Sequence, residues 1–250
     1  MLVLRKEQVD QLQQAAKRRR ADAILVSLAG FSSPCFKTLD EAQRRAVIRI
    51  GMDRAEAHGL TSRDAVRFYL ELMLLLGSQF DTDPQYPWAG QMLAELDQDA
   101  PMERVESLYQ KAMDDREKVS GPENVHALEA FQRIRHFTQQ PLRVSLETFI
   151  PDMVSEFGRL YPQKAANLDR EGLEAVLRKC LEAAEQLGIL TARGAVLLSL
   201  LLLTLGHGCT TDTLYPWIAG ALEKTAETGS EARIEGLEKE FILWLDQVLN

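Results

Sequence analysis

Cysteine is scarce and odd in number. Cys35, Cys180 and Cys209 are the only three in 250 residues, and none pairs into a CxxC spacing. That excludes a disulfide framework and a cysteine zinc ribbon, and it points to a reducing, cytoplasmic setting. Long apolar runs are absent too. The longest, Ala195 to Leu205, falls short of the roughly 20 residues a bilayer span needs, so no stable membrane insertion is expected. The N-terminus makes a poor signal peptide, because Lys17-Arg18-Arg19-Arg20 stands in the wrong place for a leader. The net charge of −8 argues against nucleic acid as a partner, which calls for a basic surface. β-Branched residues are sparse and strand alternation is missing, which excludes a sheet-based core. There is no GxxxxGK[ST], GxSxG or HExxH, and nothing resembles an EF-hand loop.

What is there says one thing twice. Asp81-Thr82-Asp83-Pro84-Gln85-Tyr86-Pro87-Trp88 returns as Thr210-Thr211-Asp212-Thr213-Leu214-Tyr215-Pro216-Trp217, at an offset of 129. The same offset carries Leu39-Asp40 onto Leu168-Asp169, Gly59 onto Gly188 and Gly77 onto Gly206. Between Leu39 and Leu93 no gap is needed and roughly a third of the positions match, enough self-similarity to decide architecture. The expected fold is all-α: two pseudo-symmetric helical bundles arising from an internal duplication. The expected divisions are 1–118 as the first repeat, 119–140 as a bridge with a helix from Glu123 to Phe137, and 141–250 as the second repeat.

Local signals place the helices. The first is expected from Lys6 to Ala29, followed by a turn at Ser32-Ser33-Pro34. Thr38-Leu39-Asp40-Glu41 has the capping-box pattern and opens a helix ending at Gly59. Thr61-Ser62-Arg63-Asp64 opens the next, ending near Gly77. Pro87 suits the first turn of a short helix through Leu96, since proline has no amide to leave unpaired there. Met102, Val105 and Leu108 mark an amphipathic helix; Leu146, Phe149, Met153 and Phe157 mark another, and Ile234, Leu237 and Phe241 the last. Phe68–Leu76 and Leu197–Leu205 are apolar almost all round, so each is expected at the centre of its own bundle.

The repeated loop is the most specific motif, and Asp83, Tyr86, Trp88, Asp212, Tyr215 and Trp217 are its candidate binding residues. In a structural corner, Asp83 caps a helix, Pro87 starts it and Trp88 plugs the core. As a paired binding surface, the Tyr and Trp side chains are exposed anchors of the kind that dominate interfaces. His207-Gly208-Cys209 stands only in the second repeat, opposite Ser78-Gln79-Phe80. It reads either as a helix-ending turn or as a pair of reactive groups. Asp114-Asp115 and Lys17–Arg20 read as solvated charge. No cofactor and no metal site is called for.

The pattern Gly59-Leu60-Thr61-Ser62-Arg63-Asp64, Gly77, Phe80-Asp81-Thr82-Asp83-Pro84 and Pro87-Trp88-Ala89 resembles helical proteins of Gram-negative bacteria encoded among spike, tip and effector genes of type VI secretion systems. The resemblance covers about 20 to 95. The second repeat keeps Gly206, Asp212 and Pro216-Trp217, but Thr213 and Cys209 stand for Pro84 and Phe80. It implies a non-enzymatic adaptor or accessory factor whose partner is a secreted effector, toxin or spike component. Two alternatives stand beside it: an immunity protein neutralising a toxin, and an enzyme using His207 and Cys209.

Overall fold

The computed structural model describes residues 5–28, 34–95, 101–224 and 229–250. The described residues are all-helical, with twelve α-helices and no strand. Helix α1 (Lys6–Leu28), α2 (Pro34–Thr38), α3 (Glu41–Ala57), α4 (Arg63–Leu76), α5 (Pro87–Ala94) and α6 (Pro101–Ser120) make the first part. A short 3-10 turn at Pro122–Asn124 leads into α7 (Val125–Thr138). Then come α8 (Phe149–Leu160), α9 (Pro162–Gln186), α10 (Ala192–Leu205), α11 (Pro216–Lys224) and α12 (Ser230–Leu249). The expected turn at 32–33, the helix end at Leu96, and the side chains of Cys35 and Met102 lie outside the described residues.

The helix boundaries follow from local chemistry. Ser62 and Thr191 each turn a hydroxyl onto the amide three residues on, at Ala65 and Gly194, satisfying donors that a helix start leaves free. Pro87, Pro162 and Pro216 each begin a helix. One cap differs from expectation. Thr38 is spent as the last residue of α2, so the capping box of α3 forms two residues later. There the Asp40 carboxylate takes the Gln43 amide at 2.8 Å, and the Gln43 side chain takes the Asp40 amide at 2.9 Å. The bridging helix also starts two residues later than its pattern suggests, because Pro122–Asn124 is used by the tight turn. Leu146 precedes α8 and stays exposed, while Phe149, Met153 and Phe157 are buried.

Two pairs of helices at the repeat offset have equal lengths. α4 and α10 both have 14 residues, and α6 and α12 both have 20. Their packing matches as well: α3 on α4 as α9 on α10, α6 on α4 as α12 on α10, and α5 on α6 as α11 on α12. Every residue of α10 from Gly194 to Leu203 is buried, as the all-apolar sequence demands. The apolar interior is mostly continuous. One large cluster runs from Ile24 through Tyr69 and Leu198 to Leu245, rather than closing separately around α4 and α10. Contacts of α6 with α9 and of α7 with α12 join the two parts of the chain.

Candidate functional site: the junction of the repeated loops and its cavity

Helices α4 and α10 end against each other. Gly77 and Gly206 cap them with φ of 102° and 97°, a region that an L side chain rarely adopts. A Cβ on Gly77 would come to 3.0 Å from the Leu205 carbonyl oxygen, and one on Gly206 to 3.3 Å from that of Leu76. Two backbones therefore touch where no side chain fits. Just beyond, the Gln79 side chain lies over Gly208, its own counterpart at the repeat offset, and a Cβ there would clash with it at 2.4 Å.

The repeated aspartates lock this meeting point. Asp83 takes the Gln85 amide on Oδ1 at 2.9 Å, closing its own turn, and takes the His207 amide on Oδ2 at 2.7 Å, across the junction. Asp212 does the same in reverse. It takes the Leu214 amide on Oδ1 at 2.9 Å and the Ser78 amide on Oδ2 at 2.9 Å. The Ser78 hydroxyl adds a second bond to Asp212, and the Gln85 side chain a second to Asp83. Positions 78 and 207, and 83 and 212, are each related by the same offset, so equal bonds are exchanged in both directions. That reciprocity is the geometry of a two-fold contact. Both carboxylates are buried, and each accepts several N–H or O–H groups, which is what makes burial of the charge tolerable. Asp83 does not cap the helix that follows its loop; the N-cap of α5 is Tyr86, without a side-chain bond.

The aromatic residues of the loops are not free anchors. Tyr215 is buried. Trp88 and Trp217 are half-buried against the core. Trp88 has the Tyr86 ring edge-on at 6.0 Å and the Lys111 ammonium 5.7 Å from its ring centre, while the buried Trp217 indole N–H has no partner among the described residues. Tyr86 and Tyr215 instead meet at one place. Both line a cavity of about 590 Å³, within the size range of small-molecule sites. Its walls come from the ends of α4 and α10, from α6, α7 and α12, and from the start of α9.

Lys164 lines this cavity and was not singled out by the sequence. It is buried, and its ammonium donates to the Leu203 carbonyl oxygen near the end of α10, where the helix dipole favours a cation. Burial lowers its pKa to about 8, with the Asp83 charge pulling the other way. Burial also pushes the Tyr86 phenol well above its ordinary range, with the Asp83 charge adding to it, so the hydroxyl stays protonated. Asp115 lines the cavity as well, but Lys111 holds it at 2.8 Å.

A second polar cluster sits behind the first loop. Asp81 takes a hydrogen bond from the Tyr69 hydroxyl at 2.9 Å, faces His58 Nε2 at 2.7 Å and pairs with Arg54. Burial would raise the Asp81 pKa, but the bonds from His58, Arg54 and Tyr69 outweigh it and hold the carboxyl at about 2. His207 and Cys209 are set differently. His207 Nδ1 stands 3.3 Å from Asp83 Oδ2, without the alignment of a hydrogen bond. Cys209 is 1% exposed, and burial, reinforced by Asp212 and Asp83, raises its thiol well above the ordinary value. Among the described residues, no three His, Cys, Asp or Glu side chains gather as a metal site, and no helix is long and apolar enough to cross a membrane.

The fold and junction define an all-helical protein whose repeated loops interlock beside a cavity lined from both parts of the chain. Comparison with family models, curated proteins and solved structures gives no match.

Proposed function

We propose that this protein is a non-enzymatic interaction protein, built from two pseudo-symmetric helical bundles that arose by duplication and work as one rigid body. The observation that carries the reading is an apolar rim on α7. Val125 is 41% exposed and Leu128 37%, three residues apart and so on one face of the helix. Phe131 continues that face and packs edge-on against Trp244 of α12 at 5.6 Å. Leu128, Phe131, Trp244 and Val248 all stand at the cavity. Aromatic and aliphatic groups clustered this way beside a concave surface are what a partner's anchor residues need.

The family resemblance of the first repeat gives the partner class: a type VI secretion effector or spike component, held by this chain as an adaptor in the cytoplasm. The test is co-purification with the proteins encoded beside it. A stoichiometric complex is expected with one effector or spike component, weakened at least about tenfold by Leu128→Asp or Val125→Asp, both surface changes that leave the core intact. If no neighbour binds, the reading fails.

The net charge of −8 favours one second reading, an immunity protein whose acidic surface meets a basic toxin. Rescue of a susceptible cell expressing the toxin separates the two, because an adaptor does not protect. An enzyme using His207 and Cys209 would need a thiolate, and the buried, acid-flanked Cys209 disfavours one.

A further inference from the structure

The cavity holds more hydrogen-bond donors than its protein groups use. A lysine ammonium has three N–H donors, and among the described residues the Lys164 ammonium uses them on one acceptor, the Leu203 carbonyl oxygen. Among the described residues the Tyr86 hydroxyl, a donor at neutral pH, has no hydrogen-bond partner. The acids nearby are occupied: Asp115 by Lys111, and Asp83 by the amides of Gln85 and His207. Most of the remaining lining is apolar, with Leu76, Leu205, Phe131 and Trp244 among it. A buried cation, an unpartnered phenol and an apolar wall around one cavity make a mixed environment that water serves poorly. It suits a molecule with the opposite polarity at one end.

We propose that the cavity binds a slender amphipathic carboxylate, an apolar chain ending in a –COO⁻ group. The head accepts hydrogen bonds from the Lys164 ammonium and the Tyr86 hydroxyl, and the chain lies against Leu76, Leu205, Phe131 and Trp244. This goes beyond the adaptor reading. It concerns a small molecule inside the protein, not a protein on its rim, and it stands or falls without a partner. No bond is made or broken, so Lys164 and Tyr86 are binding residues.

The test is calorimetric titration of the full chain with sodium decanoate below its micelle concentration, alongside decanol and decylamine. Decanoate is expected to saturate one site. Decanol should bind at least about tenfold more weakly, because a charge-assisted hydrogen bond is lost, and decylamine more weakly still. Lys164→Met keeps the length of the side chain without its charge and should weaken decanoate at least about tenfold. Tyr86→Phe removes one oxygen without disturbing the fold and should weaken it about threefold to tenfold. If Lys164→Met does not fold, Tyr86→Phe and the decanoate-to-decanol ratio decide. Absence of saturable decanoate binding, equal binding of acid and alcohol, or an unchanged Tyr86→Phe would each overturn the proposal.

Discussion

The two repeated loops keep one backbone and surround it with different chemistry. Behind the first, Asp81 gathers Arg54, His58 and Tyr69. At the same offsets behind the second stand Thr210, Ala183, Leu187 and Leu198, and Cys209 stands for Phe80. One corner is held by a buried ion-pair cluster, the other by apolar packing. Yet Gly77 and Gly206, and Asp83 and Asp212, adopt the same roles in both. The shared geometry must therefore come from what is shared, namely the glycine ends and the exchanged aspartates. The Asp81 cluster is an addition that the second corner does without, in line with the weak net benefit of most buried ion pairs.

Removing the shared element should do the most damage. Asp83→Ala and Asp212→Ala are each expected to lower unfolding free energy by about 3–5 kcal/mol, since each strands buried amides on both sides of the junction. Urea denaturation followed by circular dichroism reads this directly. A loss at one position only would break the equivalence of the loops.

The tryptophans come next. Trp88→Ala and Trp217→Ala should each cost about 2–3 kcal/mol, below the range for a fully buried ring because both are half-buried. The phenylalanine versions sharpen the comparison. Trp88→Phe weakens a contact with a cation, whereas Trp217→Phe removes an unpaired buried N–H. The second should therefore be cheaper by about 1 kcal/mol.

The last effect belongs to Asp81 and appears as pH dependence. Its carboxyl is held at about 2 in the folded chain, below the ordinary 3.8, so the unfolded chain takes up its proton at higher pH. The stability it lends, about 2 kcal/mol, is complete above roughly pH 5 and drains away as pH falls through about 4 to 2. The difference in unfolding free energy between wild type and Asp81→Asn should shrink over that window. A constant difference down to pH 2 would mean that the cluster does not hold the carboxylate charged.

Much of this frame was legible in the sequence. Helical periodicity, Gly59, Gly77, Gly188 and Gly206 as stops, Ser62 as a cap and Pro87 as a start are local signals, and local structure obeys them. The α3 cap reads two residues early in the sequence, because Thr38 and Asp40 are both capping residue types and only the presence of α2 decides between them. The repeat showed that the loops are alike but not that they touch. The acceptor for the His207 amide is 124 residues away, and no periodicity encodes that pairing. Lys164 was missed for the same reason. In Tyr161-Pro162-Gln163-Lys164 it looks like one more solvated charge, and only the packing of α9 against the end of α10 buries it. Tyr86 and Tyr215 stand at the same place in the two repeats, but the space they share exists only once α6, α7 and α12 close around them.

The central claim is that the two loops hold each other through Asp83 and Asp212 as one unit. A double-mutant cycle of Asp83→Ala and Asp212→Ala, measured by urea unfolding, tests it most directly. If the junction opens as a whole, the second substitution costs less once the first is made, and the double variant falls short of the sum by at least about 1 kcal/mol. Additivity within about 0.5 kcal/mol would mean that each aspartate serves its own loop alone, and the reciprocal lock would be contradicted.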